Sequence, residues 1–265
     1  MTVRPIRHLP SMALRFLLPC LLAMVLAPAS ATADEWRLYS ELLGRHTRET
    51  DDLAQTRVDY EALRKDEAWS ELIAQVAATD PGALGSRDAR LAYWINLYNL
   101  FAIDVVVRGR PEESIRDLGG RLFNRVWDQP AGRVGGRSYS LGEIEHEILR
   151  PLGDPRIHGA IVCASHSCPP LAREPYRAET LDDQLTANLR RWLGHPGKGL
   201  RVDRKARTLH LSSIFDWFGD DFRTQGGVRA FVARYAPSAE ASWLATAGRE
   251  ARIRYLDYDW SLNRL

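Results

Sequence analysis

The hydrophobic pattern of the chain is dominated by one segment, "RLAYWINLYNLFAIDVVVR" at residues 90–108, which is apolar on nearly every face. A helix with no polar stripe is buried on all sides, so this segment predicts the central helix of the fold. More polar segments precede it. Residues 34–56 predict an N-terminal helix, and residues 58–79 predict two short helices that end at the turn beginning with Asp80.

Shorter elements follow the central helix. Gly135-Gly136 marks the turn of a hairpin, residues 140–150 ("SLGEIEHEILR") predict a helix with a capping box, and residues 156–165 ("RIHGAIVCAS") predict a buried strand. Helices are also predicted at 179–194, 212–222 and 226–236, with a hairpin at 200–211 and a closing strand at 251–263. Helices first and mixed strands later predict a single α+β domain, whose buried central helix packs on a mostly antiparallel sheet.

The N-terminus has the pattern of a secretory signal peptide. Arg4, Arg7 and Arg15 flank the start of an apolar run of about a dozen residues, and small residues at A-x-A spacing follow. The run is short for a membrane-spanning helix, which needs ~20 apolar residues. We therefore expect residues 1–33 to be a cleaved signal peptide and the mature protein to be periplasmic or secreted, with no membrane anchor after cleavage.

The net charge changes once the predicted signal peptide is set aside. The full chain has 36 basic and 34 acidic side chains, and its first 33 residues carry three arginines and no acid, which leaves 33 basic side chains. A near-neutral chain offers no electrostatic basis for binding nucleic acid or an anionic membrane, so neither is predicted as a partner. The remaining cysteines, Cys163 and Cys168, are too few for a disulfide scaffold.

The side chains best suited to catalysis or metal binding cluster in "IHGAIVCASHSCPPL", at 157–171. Cys163 follows an apolar run and precedes small residues, where a rigid element can present a nucleophile; the alternative is a small buried side chain. Cys163 and Cys168 also fit a disulfide in an oxidising compartment, or a redox-active pair without the usual C-x-x-C spacing. The C-x4-C spacing has no second pair, so no metal site is predicted.

A thiolate nucleophile needs a base and an orienting group. The nearest histidines are His146, His158 and His166. On an ideal strand His158 would face away from Cys163 at a distance of up to ~17 Å, so this pair needs a bend between them. In the helix at 140–150, Glu145 falls on the apolar face and His146 falls outside it. A carboxylate on an apolar face needs a partner: His158 in a functional pair and Arg156 in a structural ion pair are the two alternatives.

Polar side chains also interrupt the central helix. Asn96 and Asn99 lie three residues apart on one side, with Tyr98 between them. Buried amides must be hydrogen-bonded, so the two asparagines either pin backbone or orient a catalytic imidazole. These three residues are the candidate substrate-binding positions.

Other aromatic and acidic residues are predicted to have structural roles. Trp94, Trp217 and Trp260 are predicted to lie in the core rather than in a ligand-binding aromatic cage. Asp220 and Asp221 are predicted to form a solvated helix end.

Five ordered motifs resemble the family called domain of unknown function 547. They are "AYWINLYNLFAI", "SLGEIEHEILR", "DPRIHGAIVCASHSCPPL", "LSSIFDWFGDDF" and "YDWSLN". The resemblance runs over residues 58–265, which makes residues 34–57 an N-terminal helical extension.

The family is more distantly similar to papain- and transglutaminase-like cysteine enzymes. That similarity implies a papain/transglutaminase-like fold and a triad of Cys163, His158 and Glu145, with His146 as the alternative base. It implies acyl transfer or amide or peptide hydrolysis on a peptide or a small amide-bearing substrate, without a cofactor. The alternative is a non-catalytic binding or scaffold domain, in which the same residues form a buried polar network.

Overall fold

The structure is a computed structural model that describes residues 31–119 and 125–265. The predicted signal peptide falls, apart from its last three residues, outside the described residues. The helices are α1 (Ala31–His46), α2 (Tyr60–Lys65), α3 (Glu67–Ala78), α4 (Arg87–Gly109), α5 (Leu141–Glu143), α6 (Leu181–Leu193), α7 (Ile214–Trp217), α8 (Gly227–Tyr235) and α9 (Ser238–Ala245). The strands are β1 (Thr47–Glu49), β2 (Thr56–Val58), β3 (Pro130–Val134), β4 (Arg137–Ser140), β5 (Leu200–Asp203), β6 (Thr208–Leu211) and β7 (Arg252–Tyr255).

Helix α4 is the buried centre of the fold, as its apolar pattern predicts. Every residue from Leu91 to Asp104 is buried. Ser86 caps the N-terminus of the helix by accepting a hydrogen bond from the Ala89 amide at 3.0 Å. Arg110, which directly follows the last helical residue, ends the helix with a left-handed backbone (φ 49°). The predicted α+β class and the predicted central helix are both confirmed.

The strands that the structure describes are divided among three small sheets. The β1–β2 and β3–β4 pairs are antiparallel hairpins, and β6 pairs antiparallel with β5 and parallel with β7. The hairpins predicted at Gly135-Gly136 and at 200–211 are confirmed. Gly135 and Gly136 have φ values of +55° and +76°, which a two-residue turn between antiparallel strands requires and which glycine adopts without strain.

The predicted N-terminal extension at 34–57 is part of the main core. Trp36, Tyr39 and Leu42 of α1 belong to the same hydrophobic cluster as helix α4. The C-terminus joins this region as well, because the Val58 amide donates to the Asn263 carbonyl at 2.8 Å.

The strand predicted over 156–165 is wrong. Pro155–Gly159 is a 3-10 helix that starts with Asp154 accepting from the Arg156 amide, and residues 160–164 follow without regular structure. Asn99 replaces the missing sheet partners: its Nδ2 donates to the Ala160 carbonyl at 3.0 Å and its Oδ1 accepts from the Val162 amide at 2.9 Å. The apolar run is therefore buried against a helix instead of within a sheet.

A second hydrophobic cluster supports the other side of the molecule. Trp192 of α6 stacks on Phe215 of α7 at 5.1 Å, and Phe222 and Phe231 pack beside them. This cluster fixes α7 and the 3-10 helix Gly219–Gln225, which carries Asp221. Among the described helices, none combines the length and the apolar character that a membrane span requires.

The Asn99 contacts predict a large loss of stability when the amide is removed. Asn99→Ala leaves the Ala160 carbonyl and the Val162 amide buried without partners, and we expect the free energy of unfolding to fall by about 2–4 kcal/mol. Gln75→Ala, at a partly exposed position of α3, is the control and is expected to change it by about 0.5 kcal/mol or less. Urea unfolding of the oxidised proteins measures both. Equal stabilities of the two variants would contradict the role given to Asn99.

Candidate functional site

A cleft of about 620 Å³ contains most of the predicted site residues. Cys163, Glu145, His146, His158 and Tyr98 all line it. They come from three different places: helix α4, the helical segment after α5, and the chain from the 3-10 helix Pro155–Gly159 onward. The compact turn at Pro155–Gly159 removes the extended strand that would have separated His158 from Cys163.

The segment that carries Glu145 and His146 is a wide helical turn. Helix α5 continues as a π-helix over Ile144–Leu149, a conformation that is rare and often found at functional sites. Ser140 caps α5 by accepting from the Glu143 amide, while the Glu143 carboxylate pairs with Arg137 instead of completing the predicted capping box. As the helical pattern predicts, Glu145 is buried and His146 is exposed.

Glu145 lies between a tyrosine and a histidine. Its Oε2 is 3.5 Å from the Tyr98 hydroxyl, and its Oε1 is 3.9 Å from His158 Nδ1. Burial disfavours the charged form and raises the pKa of Glu145 to about 7, although the Arg150 charge opposes this. The alternative partner Arg156 pairs with Asp154 and Asp182 instead.

His158 lies between two carboxylates. Its Nε2 is 2.8 Å from Asp221 Oδ2, and its ring stacks on Phe218 at 4.3 Å. Burial lowers the pKa of His158, so the ring is neutral at pH 7. A neutral ring that contacts an ionised carboxylate through Nε2 donates from that nitrogen, which leaves Nδ1, on the Glu145 side, as the acceptor.

Asp221 belongs to the site, and its prediction as part of a solvated helix end is wrong. Arg150 donates to it from Nε and Nη2, both at 2.7 Å, in addition to the contact with His158. Burial would raise the pKa of Asp221, but the hydrogen bonds from His158 and Arg150 outweigh it and hold the pKa well below its usual range. Asp220 is exposed, as predicted. One signal in the sequence was available: Asp221 precedes Phe222, whose burial turns this segment inward.

Cys163 and Cys168 form a disulfide, which is one of the alternatives that the sequence left open. Their Cα atoms are 6.3 Å apart, within the usual range for such a bond. The Tyr258 hydroxyl is 3.3 Å from Cys163 Sγ and 3.2 Å from Cys168 Sγ. Ala164 has φ 58°, an unfavourable backbone for a residue with a side chain, and such residues cluster at functional sites.

A buried lysine anchors the loop that carries Cys168. Lys198 Nζ donates to the Cys168 carbonyl at 2.7 Å and to the Ala54 carbonyl at 2.9 Å. Burial lowers its pKa to about 7. The burial of Lys198 could not be predicted from the sequence, because nothing in its local pattern distinguishes it from a solvated lysine.

Asn96 and Asn99 hold backbone and do not line the cleft. Asn96 accepts from the Tyr176 amide at 2.8 Å and donates to the Tyr176 carbonyl at 2.9 Å. The contacts of Asn99 with residues 160 and 162 are of the same kind. The geometry gives both amides the backbone-pinning role, in contrast to the predicted substrate-binding role, whereas Tyr98 does lie at the cleft.

Trp217 and Trp260 are wall residues of the cleft, and their prediction as core is wrong. Trp94 is buried as predicted, but the Trp217 side chain is 47% exposed and stacks on Trp260 at 5.7 Å. An apolar pattern does not distinguish a core position from the wall of an apolar cleft, because both need large hydrophobic side chains. In the part of the chain that the structure describes, no group of three or more His, Cys, Asp and Glu side chains is arranged to hold a metal ion.

Fold and cleft together define an α+β domain with a cysteine pair, two histidines and Glu145 lining one cavity. Residues 83–193 match the family model described as "Protein of unknown function, DUF547", which supports the resemblance carried by the sequence motifs. The match includes Glu145, His158 and Cys163, and it is shorter than the span of 58–265 expected from the motifs. Comparisons with curated proteins and with solved structures found no match.

The raised pKa of Glu145 predicts a pH-dependent cost in stability. Because folding raises the pKa of Glu145, the protonated carboxyl group stabilises the folded state. This stabilisation is complete below about pH 4.5 and is lost as the pH rises through about 7. Glu145→Gln does not titrate, so its unfolding free energy relative to wild type should rise by about 3 kcal/mol between pH 4.5 and pH 8. Urea unfolding at both pH values measures the change.

Glu147→Gln is the matched control for this measurement, because Glu147 is an exposed carboxylate on the same helical turn. Its stability relative to wild type should stay constant within about 0.5 kcal/mol over the same pH range. The same pH profile in both variants would refute the assignment of the titration to Glu145.

Proposed function

We propose that the cleft is a thiol site for acyl transfer or for amide or peptide hydrolysis, with Cys163 as the nucleophile after reduction of the Cys163–Cys168 disulfide. One observation carries the proposal: Cys163, His158 and Glu145, the three residues that the family resemblance implies as a triad, line a single cleft. Its volume of about 620 Å³ lies in the range of small-molecule and peptide-end sites.

We also propose that the protein is exported to the periplasm or secreted. The signal-like pattern before residue 34 supports this, and so does the disulfide, because such bonds persist in oxidising compartments. An exported thiol site then needs a source of electrons. A dithiol reductant supplies two electrons and two protons, becomes a disulfide itself, and leaves Cys163 and Cys168 as thiols.

Hydroxyl groups beside the sulfur favour a thiolate at Cys163. The Tyr258 hydroxyl lies 3.3 Å and the Ser165 hydroxyl 3.4 Å from Cys163 Sγ. Both can donate to a negatively charged sulfur, and hydrogen bonds to a charged acceptor are stronger than neutral ones. Hydrogen bonds of this kind lower the pKa of the thiol they contact.

His158 has the arrangement of a general base. Asp221 accepts from Nε2 at 2.8 Å, which leaves Nδ1 to take a proton. The protonated ring would lie between the carboxylates of Asp221 and Glu145, which stabilises the positive charge. In this assignment Asp221 orients the ring and Glu145 stabilises its charge.

His146 is the alternative base. It is exposed at the cleft, and its Nδ1 lies 3.2 Å from Arg150 Nη1, so that Arg150 donates to it. Burial and the Arg150 charge lower the pKa of His146 and keep the ring neutral near pH 7.

The proposed reaction follows from these positions. The base takes the thiol proton, and Cys163 Sγ attacks the carbonyl carbon of an amide to form a carbon–sulfur bond. The carbon–nitrogen bond then breaks, and the amine leaves with the proton from the base. Water or a second amine attacks the thioester and regenerates the thiol.

A binding domain without catalysis is the second candidate. The observation that favours it is the disulfide itself, which occupies the sulfur of Cys163. In that case the contacts of His158, Asp221 and Arg150 form a structural polar network. The two candidates differ in whether the reduced protein forms an acyl-enzyme.

Acylation by p-nitrophenyl acetate should depend on the redox state of the cysteine pair. We expect the reduced protein to release a burst of p-nitrophenol and to carry an acetyl group on the peptide containing Cys163, and the oxidised protein to do neither. Cys168→Ser cannot form the disulfide and should react without reductant, whereas Cys163→Ser should not react in either state. Stopped-flow absorbance and peptide mass spectrometry measure this.

Histidine variants then identify the base. Replacing the true base by alanine should slow the burst by about 10²–10⁴-fold, and replacing the other histidine should have a much smaller effect. If reduced wild type and Cys168→Ser both fail to acylate Cys163 while remaining folded, the catalytic proposal is wrong and the binding role stands.

A further inference from the structure

We infer that the ligand of the cleft is an acyl compound with an anionic group, bound by Arg116 and Arg125, next to a flat apolar group that lies on Trp217 and Trp260. The inference rests on the proposed function for one point only, which is that the acyl carbon lies at Cys163. The carboxylate of a peptide end and a phosphate share the required anionic chemistry.

Three side chains form an aromatic shelf along one wall of the cleft: Trp217, Tyr258 and Trp260. Trp217 and Trp260 are nearly parallel, with an angle of 17° between their rings, and Tyr258 lies 4.5 Å from Trp260 and 4.9 Å from Trp217. Trp217 is 47% exposed. Tyr258 and Trp260 are half-buried. An exposed tryptophan that continues into half-buried aromatic rings along a cleft wall indicates a surface that binds an apolar ligand group.

The aromatic shelf connects the sulfur atoms with a guanidinium group. At one end the Tyr258 hydroxyl lies 3.3 Å from Cys163 Sγ. At the other end the guanidinium carbon of Arg116 lies over Trp260, 5.0 Å from the ring centroid. A ligand with its acyl carbon at Cys163 and its apolar group on the shelf therefore brings its far end to Arg116.

Two exposed arginines that line the cleft are not held by a hydrogen-bonded carboxylate in the part of the chain that the structure describes. Arg116 and Arg125 both line the cleft, and within residues 31–119 and 125–265 neither guanidinium forms an ion pair or a side-chain hydrogen bond. Arg150, another arginine near the cleft, is neutralised by Asp221. A guanidinium group offers a planar set of donors that matches carboxylate or phosphate oxygens, so two guanidinium groups in a cleft whose donors are not taken by a carboxylate indicate an anionic ligand group.

The acidic groups near the cleft offset only part of this charge. Asp117 follows Arg116 directly, and its carboxylate accepts hydrogen bonds from the Glu113 and Ser114 amides and interacts with the Arg116 charge. One carboxylate against the two arginines leaves a positive charge at the cleft. Asp128 also lines the cleft, and its charge interacts with His146. The arginine end is therefore the positive end of the cleft.

Binding to the oxidised protein tests the inference without turnover, because the disulfide occupies Cys163. The probes are benzoyl-glycyl-phenylalanine, which has a flat apolar group, amide bonds and a free carboxylate, and its C-terminal amide, which lacks the charge. By isothermal titration calorimetry we expect the acid to bind about tenfold more tightly than the amide, and added salt to weaken only the acid.

Variants locate the two parts of the site. Arg116→Gln and Arg125→Gln should each weaken binding of the acid by about five- to tenfold and leave the amide unchanged. Arg249→Gln, at an exposed position away from the cleft lining, is the control and should change neither. Trp217→Ala should weaken both probes. Competition by acetate or by inorganic phosphate shows whether a carboxylate or a phosphate is preferred.

Equal affinities for acid and amide, no binding of either probe, or equal effects of Arg116→Gln and Arg249→Gln would overturn the inference. The outcome is distinguishable from failure of the proposed function. A protein that binds the acid selectively but is not acylated after reduction retains the anion site and loses the catalytic assignment.

Discussion

The cleft depends on the contact between Asn99 and the chain at 160–162. That chain lies between His158 and Cys163, is buried, and has no strand partner. Asn99 supplies both a donor and an acceptor from the centre of helix α4, which satisfies backbone groups that would otherwise be unpaired. Asn188 Nδ2 adds a hydrogen bond to the Gly159 carbonyl at 2.7 Å. The amides thus hold an irregular segment in one conformation and position the histidine and the cysteine at the same cavity.

Two carboxylates with opposite electrostatic behaviour flank the buried imidazole. Asp221 remains ionised because it accepts hydrogen bonds from Arg150 and His158, and Glu145 has a pKa of about 7 because it is buried without an equivalent cationic partner. Carboxylates whose environments separate their pKa values are typical of acid–base sites. The same contrast also gives the polar network a cost in stability above neutral pH, which a purely structural network would not require.

The local parts of this arrangement were predictable from the sequence, and the long-range parts were not. Helical periodicity placed Glu145 on a buried face and identified α4 as the central helix. It could not identify Asp221, because the contact with His158 joins residues 63 positions apart. The strand at 156–165 was wrongly predicted because an apolar run has the same composition whether it is buried in a sheet or against a helix. Trp217 was assigned to the core for a related reason, since a hydrophobic side chain is expected both in the core and on the wall of an apolar cleft.

The pKa of the Cys163 thiol tests the central claim most directly. It can be measured in the folded Cys168→Ser protein from the ultraviolet absorbance of the thiolate, with the protein that lacks both cysteines as the blank. The proposed site predicts a pKa well below the ~8.5 of a free cysteine, and a higher value when His158 is replaced by alanine. A pKa at or above ~8.5 that does not respond to this replacement would contradict the claim.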